Sequence, residues 1–349
     1  MSTERCEPDA LTPGELDDYL ARGWYRIGHG LITTDLLTWG AELRTTLWTR
    51  LDVRGHRFTS SVRKLMARNG RRFRVRVGGL VMDDARDQLY ARYLAEVGGD
   101  RAESLVDVVG GERGRALFDT REISVWSEDR LVAFSWYDLG ARSVQSLIGV
   151  YDPAFGKHSL GLYTMLLEIQ ETAALGKHYH YAGYVLAVPS SMDYKLRAGS
   201  LQFFDPETSR WRHAPPYERG GSPAEILTRK SDAAEDALRR AGVEAFRYLN
   251  PSLKIRGLLE QVPRCPTQPL FLVCGAAGHA RAVLVAWEHR LGAYLLTRAR
   301  AVVATLTRGA EAPPMDLLLF VIEAELGERE SVEEVVDLTQ AELGAIDRR

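Results

Sequence analysis

The chain has 349 residues, with 45 Lys and Arg against 47 Asp and Glu, 45% hydrophobic and 9% aromatic residues. That length and composition fit a globular protein of two domains with room for an extension. The formal net charge of −2 hides an asymmetry: residues 54–76, RGHRFTSSVRKLMARNGRRFRVR, hold nine Arg or Lys and no acid, whereas residues 311–347 hold eleven acids against the single base Arg329. Cys6, Cys265 and Cys274 are too scattered for a CxxC metal knuckle or a secreted disulfide framework. The charged N-terminus lacks the apolar region of a signal peptide, and the longest apolar run, PLFLVCGAAGHARAVLVAW, is broken by His279 and Arg281. These features exclude secretion, membrane insertion and structural zinc, and the expected location is the cytoplasm.

In chain order, a short helix is predicted over residues 10–23, with Thr12 as cap, Pro13 in the first turn and Gly23 as stop. WYRIG and GLITTD read as extended pieces. Within the basic block, Thr59, Ser60 and Ser61 are plausible caps for a helix ending near Asn69-Gly70, with Leu65 and Met66 inward and Arg63, Lys64 and Arg68 sharing a surface. FRVRV alternates as a half-buried strand should, with Phe73, Val75 and Val77 on one face. A helix follows over residues 84–97.

REISVWS and RLVAFSWYD read as a hairpin turning at Glu128-Asp129, and a third strand, SVQSLIGVYD, ends at Asp152-Pro153. A helix capped by Ser159 is expected up to Leu175, followed by the aromatic strand HYHYAGYVL. SSMDYKLRAGSLQFF reads as a short helix and a terminal strand, and residues 211–223 as a Pro- and Gly-rich linker. Beyond the linker, an amphipathic helix is expected over 224–249, mixed strands and helices over 269–307, and an apolar run followed by acidic helix over 315–346. There is no internal repeat.

The order strand, strand, strand, helix, strand over residues 121–186 resembles an acyltransferase core of the GNAT type. The expected fold class is therefore α+β: an N-terminal subdomain bearing the basic block (1–80), a GNAT-like transferase core (81–212) and a C-terminal accessory α/β domain (224–349). A CoA-dependent member would carry a Gly-rich pyrophosphate loop at the helix N-terminus. Here the loop reads AFGKHSLG, with Gly156 and Gly161 five apart and only Lys157 and His158 positive, so a CoA donor is not expected.

DPAFGKHSLG, a helix, and then YHYAGYVLAVPSSMDYK resemble the arginyl- and leucyl-tRNA protein transferases, whose pattern is DP, a spacer, SLG, a helix, YxYxGYxI and MxYK. Asp152, Pro153, Ser159, Leu160, Gly161, Tyr179, Tyr181, Gly183, Tyr184, Met192, Tyr194 and Lys195 fill those positions. GWYRIG, SSVRKLMARN and Leu89-Tyr90 with Tyr93 resemble the family's GFRRSG, SxSQRR and LYxxY segments, Val62 standing where the family has glutamine. The resemblance covers roughly residues 10–205. The cysteine motifs of the family are missing, and the last 125 or so residues lie outside the resemblance.

The resemblance implies transfer of an aminoacyl group from charged tRNA to an amine: a protein or peptide N-terminus, or a small biosynthetic intermediate. It implies no cofactor and no metal, with charged tRNA as co-substrate and neither DNA nor membrane as partner. Two alternatives stay open, a CoA-dependent N-acyltransferase and a non-catalytic module binding tRNA or an N-terminus. The expected catalytic set is Asp152, Tyr184 and Lys195; the substrate-binding set is Arg26, Tyr90, Tyr137, Ser159, Tyr181, Met192 and Tyr194; the tRNA-binding set is Arg63, Lys64, Arg68 and Arg71.

Each has a plainer reading. Asp152 orients the amine or accepts a proton, or is a turn residue before Pro153. Tyr181 and Tyr184 stack on the terminal adenosine, or at least one is core, since adjacent residues of a strand face opposite ways. Lys195 meets the tRNA end or the oxyanion, or is a surface lysine. Ser159 is a helix cap rather than a nucleophile, because no histidine is spaced to activate it. His178 and His180 share a strand face without a visible third ligand. The acidic tail is a solvated helical face, or docks on the basic block when RNA is absent.

Overall fold

The computed structural model describes residues 3–40, 42–97, 101–218, 220–250, 264–275, 280–289, 291–306, 315–346 and 348. Along the chain they form β1 (Thr3–Cys6), α1 (Pro13–Ala21), β2 (Tyr25–Ile27), β3 (Gly30–Thr34), β4 (Leu36–Trp39), β5 (Glu42–Asp52), α2 (Ser60–Arg72), β6 (Arg74–Gly79), α3 (Asp84–Val97), α4 (Leu105–Val109), α5 (Gly111–Leu117), β7 (Thr120–Ser127), β8 (Arg130–Leu139), β9 (Ser143–Tyr151), α6 (Leu160–Ala174), β10 (Tyr179–Leu186), β11 (Gln202–Asp205) and β12 (Arg210–Arg212). There follow α7 (Pro223–Arg240), β13 (Ala245–Leu249), β14 (Leu270–Cys274), β15 (Arg281–Glu288), β16 (Ala293–Leu306), β17 (Met315–Arg329) and α8 (Val332–Ile346). Two 3-10 turns, Pro153–His158 and Asp193–Ala198, flank α6 and β10 in sequence. The class is mixed α and β. The chain divides into two compact units, one spanning Ser2–Asp35 and Thr45–Glu218, the other built mainly from Leu36–Arg44 and Arg219–Arg349.

In the first unit, strands lie side by side in the order β12, β11, β5, β10, β9, β8, β7, β6. Strands from the first 80 residues, β5 and β6, share this sheet with β7 to β10. α6 crosses from β9 to β10 and is buried on most sides, with Leu160, Tyr163, Leu166 and Ile169 in a core that also takes Val62 and Leu65 of α2 and Ala182 of β10. A helix so enclosed needs apolar residues nearly all round, which LGLYTMLLEIQ supplies. In the second unit, β13 to β17 form an antiparallel sheet in sequential order. Leu227, Ala234 and Leu238 of α7 and Val335 of α8 pack on its Leu272, Val283, Val285 and Trp287.

Several expectations are corrected. α2 runs past Asn69-Gly70 to Arg72 because Asn69 is a buried helical residue, not a stop: its side-chain amide donates to the His158 carbonyl at 2.9 Å. β6 is the sheet's edge strand, so Val77 is half exposed although the alternation placed it inward. Ser159 precedes α6 but makes no side-chain cap bond; it stands in the left-handed region, φ 52°. The expected 224–249 helix ends at Arg240, where Ala241-Gly242 breaks it, and becomes strand β13. The described part of 269–307 is strands joined by bends and turns, without the expected helices. α4 and α5 were not foreseen, being too short to show a period.

One buried ion pair ties the first unit together. Arg26 and Asp138 are both fully buried, with Arg26 Nη1 donating to Asp138 Oδ1 at 2.6 Å and to Thr120 Oγ1 at 2.9 Å. The other nitrogens reach the carbonyls of Val109 (2.6 Å) and Gly28 (2.8 Å), and the guanidinium lies 4.0 Å from the centre of the Phe118 ring. Four segments distant in sequence thus converge on one guanidinium. Replacing Asp138 with Ala strands a buried cation, and should cost about 3–5 kcal/mol. Arg26→Met with Asp138→Leu, which removes both charges, should recover a large part of that loss. Denaturant titration of wild type and the two variants checks both statements; an Asp138→Ala variant within about 1 kcal/mol of wild type would contradict the assigned role.

Candidate active site

Within the large sheet β9 and β10 are the parallel pair, and they stay in register only at Tyr179 with Ser143, His180 with Val144 and Tyr181 with Gln145. β9 continues to Tyr151 and β10 to Leu186, so the strands part after Gln145 and Tyr181. The cause lies in β10: its pairing with β5 shifts register between Tyr181 and Gly183, and Gly183 adopts φ +84°. The positive φ favours a glycine there, and a Cβ would stand in van der Waals contact, 3.4 Å, with Lys195 Nζ and the Tyr25 ring.

Side chains meet the backbone of the diverging stretch. The Tyr25 hydroxyl donates to the Ser146 carbonyl, and its ring stacks on Trp48, centroids 5.3 Å apart. Lys195, from the Asp193–Ala198 turn, donates through Nζ to the Tyr184 carbonyl at 3.0 Å. Thr49 Oγ1 donates to the Gly183 carbonyl at 2.9 Å. The Tyr184 ring meets Trp48 edge-on and lies 5.6 Å from Lys195 Nζ. Enclosure by protein pulls the Lys195 ammonium down to about 8, against the opposing pull of the Glu168 carboxylate. Burial likewise raises the hydroxyls of Tyr25 and Tyr194.

Three fully buried polar residues accompany these groups. Glu168 of α6 and His180 of β10 pair at 3.0 Å between Oε2 and Nε2, leaving Glu168 Oε1 and His180 Nδ1 without hydrogen bonds. Gln145 stands beside the Tyr25 hydroxyl with neither end of its carboxamide in a well-formed hydrogen bond. Buried polar groups left open in this way are uncommon in folded proteins.

The basic residues form a surface at the entry to α6. Arg63, Lys64, Arg68, Arg71 and Arg72 are exposed on α2, while Val62, Leu65 and Asn69 face the core. The Asn69 bond and a 5.2 Å edge contact between Phe73 and His158 anchor the 3-10 turn before α6 onto α2. Lys157, Arg68 and Arg72 are close enough, together with burial, to hold the His158 imidazole below its ordinary range. Sequence spacing did not show that Arg72 and Lys157 join this surface, because the turn and α2 meet only in three dimensions.

The expected site residues are distributed unevenly. Tyr184 and Lys195 meet at the fork, with Met192 and Tyr194 on the same turn; Met192 accepts the Lys195 backbone N–H at 3.0 Å. Asp152 is buried, accepts from Ala154 N at 3.0 Å, and pairs with Arg130 and with Arg92 at 3.5 Å. Arg26 serves the buried ion pair. Tyr90 donates to the Ala102 carbonyl at 2.7 Å, Tyr137 is core, and Tyr181 packs with Leu16, Leu20 and Leu31 while Arg50 donates to its hydroxyl at 3.4 Å. Tyr25, Gln145, Glu168 and His180 were missed as a group. A lone acid on an apolar helix face was their available signal. Among the described residues no cluster of His, Cys, Asp or Glu could hold a metal ion.

Known proteins resemble this segment of the chain. Residues 82–205 match the arginine-tRNA-protein transferase C-terminus model. The chain is similar to an aspartate/glutamate leucyltransferase of Acinetobacter baumannii, 29% identical over 140 residues, which are 40% of this chain and 50% of that protein. It is also similar to one of Phenylobacterium zucineum, 28% identical over 166 residues, 45% of this chain and 64% of that protein. The chain thus spans about half the length of the first of these relatives. A solved C-terminal domain of a putative lysylphosphatidylglycerol synthetase from Agrobacterium fabrum overlaps 40% of this chain and 46% of its own at 12% identity, with a TM-score of 0.34. The fork, α6 and the Lys195 turn all lie inside the segment that matches the arginine-tRNA-protein transferase C-terminus model, and the chain is similar there to the aspartate/glutamate leucyltransferases.

Proposed function

We propose that this chain transfers an aminoacyl group from charged tRNA to an amine, namely the N-terminus of a protein or peptide or a small amine intermediate. The carrying observation is the parting of β9 and β10 over Lys195, inside the segment shared with the transferases. We read the core as GNAT-like, with the donor ester lying in the fork. The acceptor nitrogen adds its lone pair to the ester carbonyl carbon. The resulting tetrahedral intermediate expels the tRNA ribose hydroxyl, which takes up the proton lost by the amine. The ester is already activated, so the protein has to position the amine and stabilise the oxyanion. The ammonium of Lys195 stabilises the oxyanion, and the open carboxamide of Gln145 supplies a hydrogen bond to the donor. Asp152 acts indirectly, by fixing the turn that leads into α6.

The exposed cations of α2, Arg63, Lys64, Arg68 and Arg71, hold tRNA phosphates, joined by Arg72 and Lys157. Base contacts are not needed for this attraction, which rests on release of counterions from the RNA. Charged tRNA places the reaction in the cytoplasm. Among the described residues no helix is long and apolar enough to cross a membrane.

Incubation with labelled aminoacyl-tRNAs and candidate amine acceptors should give product that disappears when the tRNA is digested beforehand. Product formed only from acyl-CoA would refute the reading. Lys195→Ala should lower transfer by about 100-fold or more while the fold is kept, the scale of losing one oxyanion partner; an unchanged rate would remove Lys195 from the site.

Arg63→Ala, Lys64→Ala and Arg68→Ala together should weaken tRNA binding and flatten the log-affinity against log-salt slope by roughly 2–3, the loss of about three phosphate contacts. An unaltered slope would place the RNA elsewhere.

A further inference from the structure

Glu168 is a carboxylate flanked on α6 by Leu166, Leu167 and Ile169, and it is fully buried. Its Oε2 is used by His180, but Oε1 has no hydrogen-bond partner, and among the described residues no arginine pairs with it. Burying such a group is costly unless it is paired and hydrogen-bonded, and His180 meets only one of its two oxygens. α6 packs against the Asp193–Ala198 turn that carries Lys195, and Lys195 Nζ is hydrogen-bonded to a backbone carbonyl rather than to an acid. We infer that Glu168 is a positioning residue, which through its field keeps the Lys195 amine charged at the strand fork, with His180 fixing its orientation. This inference rests on the proposed role of Lys195.

The surroundings of Lys195 leave Glu168 as the carboxylate acting on it. Enclosure lowers the tendency of the amine to hold a proton, Arg101 lowers it further, and Glu168 alone acts in the opposite direction. The Tyr184 ring on β10 lies 5.6 Å from Lys195 Nζ, and Tyr194 on the same turn, like Tyr25 and Tyr137, is itself pushed toward the neutral form by burial and partly by Glu168. His180 on β10 faces Glu168 rather than Lys195. The sign follows. An amine whose proton is held by a nearby anion loses it at lower pH once that anion is neutralised, so activity that needs the charged amine is lost earlier as pH rises.

The test is Glu168→Gln, which keeps a partner for His180 and removes the charge. The whole chain is reductively methylated with a 13C label, and the Lys195 signal, identified by its absence in Lys195→Arg, is titrated by NMR without substrate. The wild-type signal should titrate near 8, and in Glu168→Gln about one pH unit lower. The alkaline limb of the transfer rate should move by the same amount, with the rate at low pH largely kept. Glu168→Asp, which withdraws the charge by one methylene, should shift both in the same direction by less, and serves if Glu168→Gln does not fold. A titration that stays put in a folded variant overturns the inference, as does a uniform fall in rate at every pH with no moved limb. Absence of transfer by the wild type with every charged tRNA would defeat the proposed function instead, and the substrate-free titration would still decide the role of Glu168.

Discussion

Everything at the candidate site follows from two parallel strands that hold register for three residue pairs and then separate. A sheet interior normally consumes its own backbone donors and acceptors, so strands that part must find other partners for them. Here the partners are side chains. The Tyr25 hydroxyl takes the Ser146 carbonyl and the Lys195 ammonium takes the Tyr184 carbonyl. Gly183 accompanies the divergence: it sits at the register shift of β10 against β5 with a positive φ that glycine adopts freely. Polar side chains are therefore brought into the fork by the backbone's needs, and once there they are available for chemistry.

The fork is only as well placed as the strands that frame it. β8 is the neighbour of β9, and its end is fixed by the Arg26–Asp138 pair, which also carries β2, the strand that begins with Tyr25. Buried ion pairs are weak evidence of stability, since desolvation offsets their attraction, but their geometry is exacting. In this unit the pair's value is specificity of position: one guanidinium with four hydrogen bonds sets where Tyr25 enters the sheet. Arg26 thus matters to the site without touching it.

That explains which parts of the site were legible in the sequence. The strand, helix and turn order around residues 120–198 follows from period and punctuation, and the motif segments marked the right region. The motifs do not separate residues buried against internal partners from residues at the fork. Arg26, Tyr90 and Tyr181 fill motif positions, yet each is buried against internal partners, whereas Tyr184 and Lys195 reach the fork. Glu168, His180 and Gln145 were hidden for the opposite reason. Their neighbours in sequence do not mark them, and only the fold pairs Glu168 of the helix with His180 of the strand and sets Gln145 beside Tyr25. Gly70 misled by its type: a helix-breaking residue was outweighed by the buried anchor beside it, Asn69. In the second unit, charge patterning was read too coarsely. Glu323 pairs with Arg281 at 3.0 Å, and Glu342 with Arg298 at 2.6 Å, so part of the acidic tail is spent on arginines of its own sheet.

α6 joins the two kinds of charge on which the proposed reaction depends. At its N-terminal end lie the exposed arginines of α2 and the Lys157-His158 turn; Glu168 stands eight residues further on, about 12 Å along the helix. The two ends face different tasks. Guanidinium groups in water stay charged at any physiological pH, attract a polyanion over about a Debye length, and yield to salt. A single enclosed amine is shielded from salt by the protein around it, and its charge depends instead on one carboxylate fixed by the same helix. A rigid helix is what lets both be arranged at once: the end that meets the polyanion and the segment that tends the amine cannot move independently, so an RNA held at the first is held at a set distance from the second.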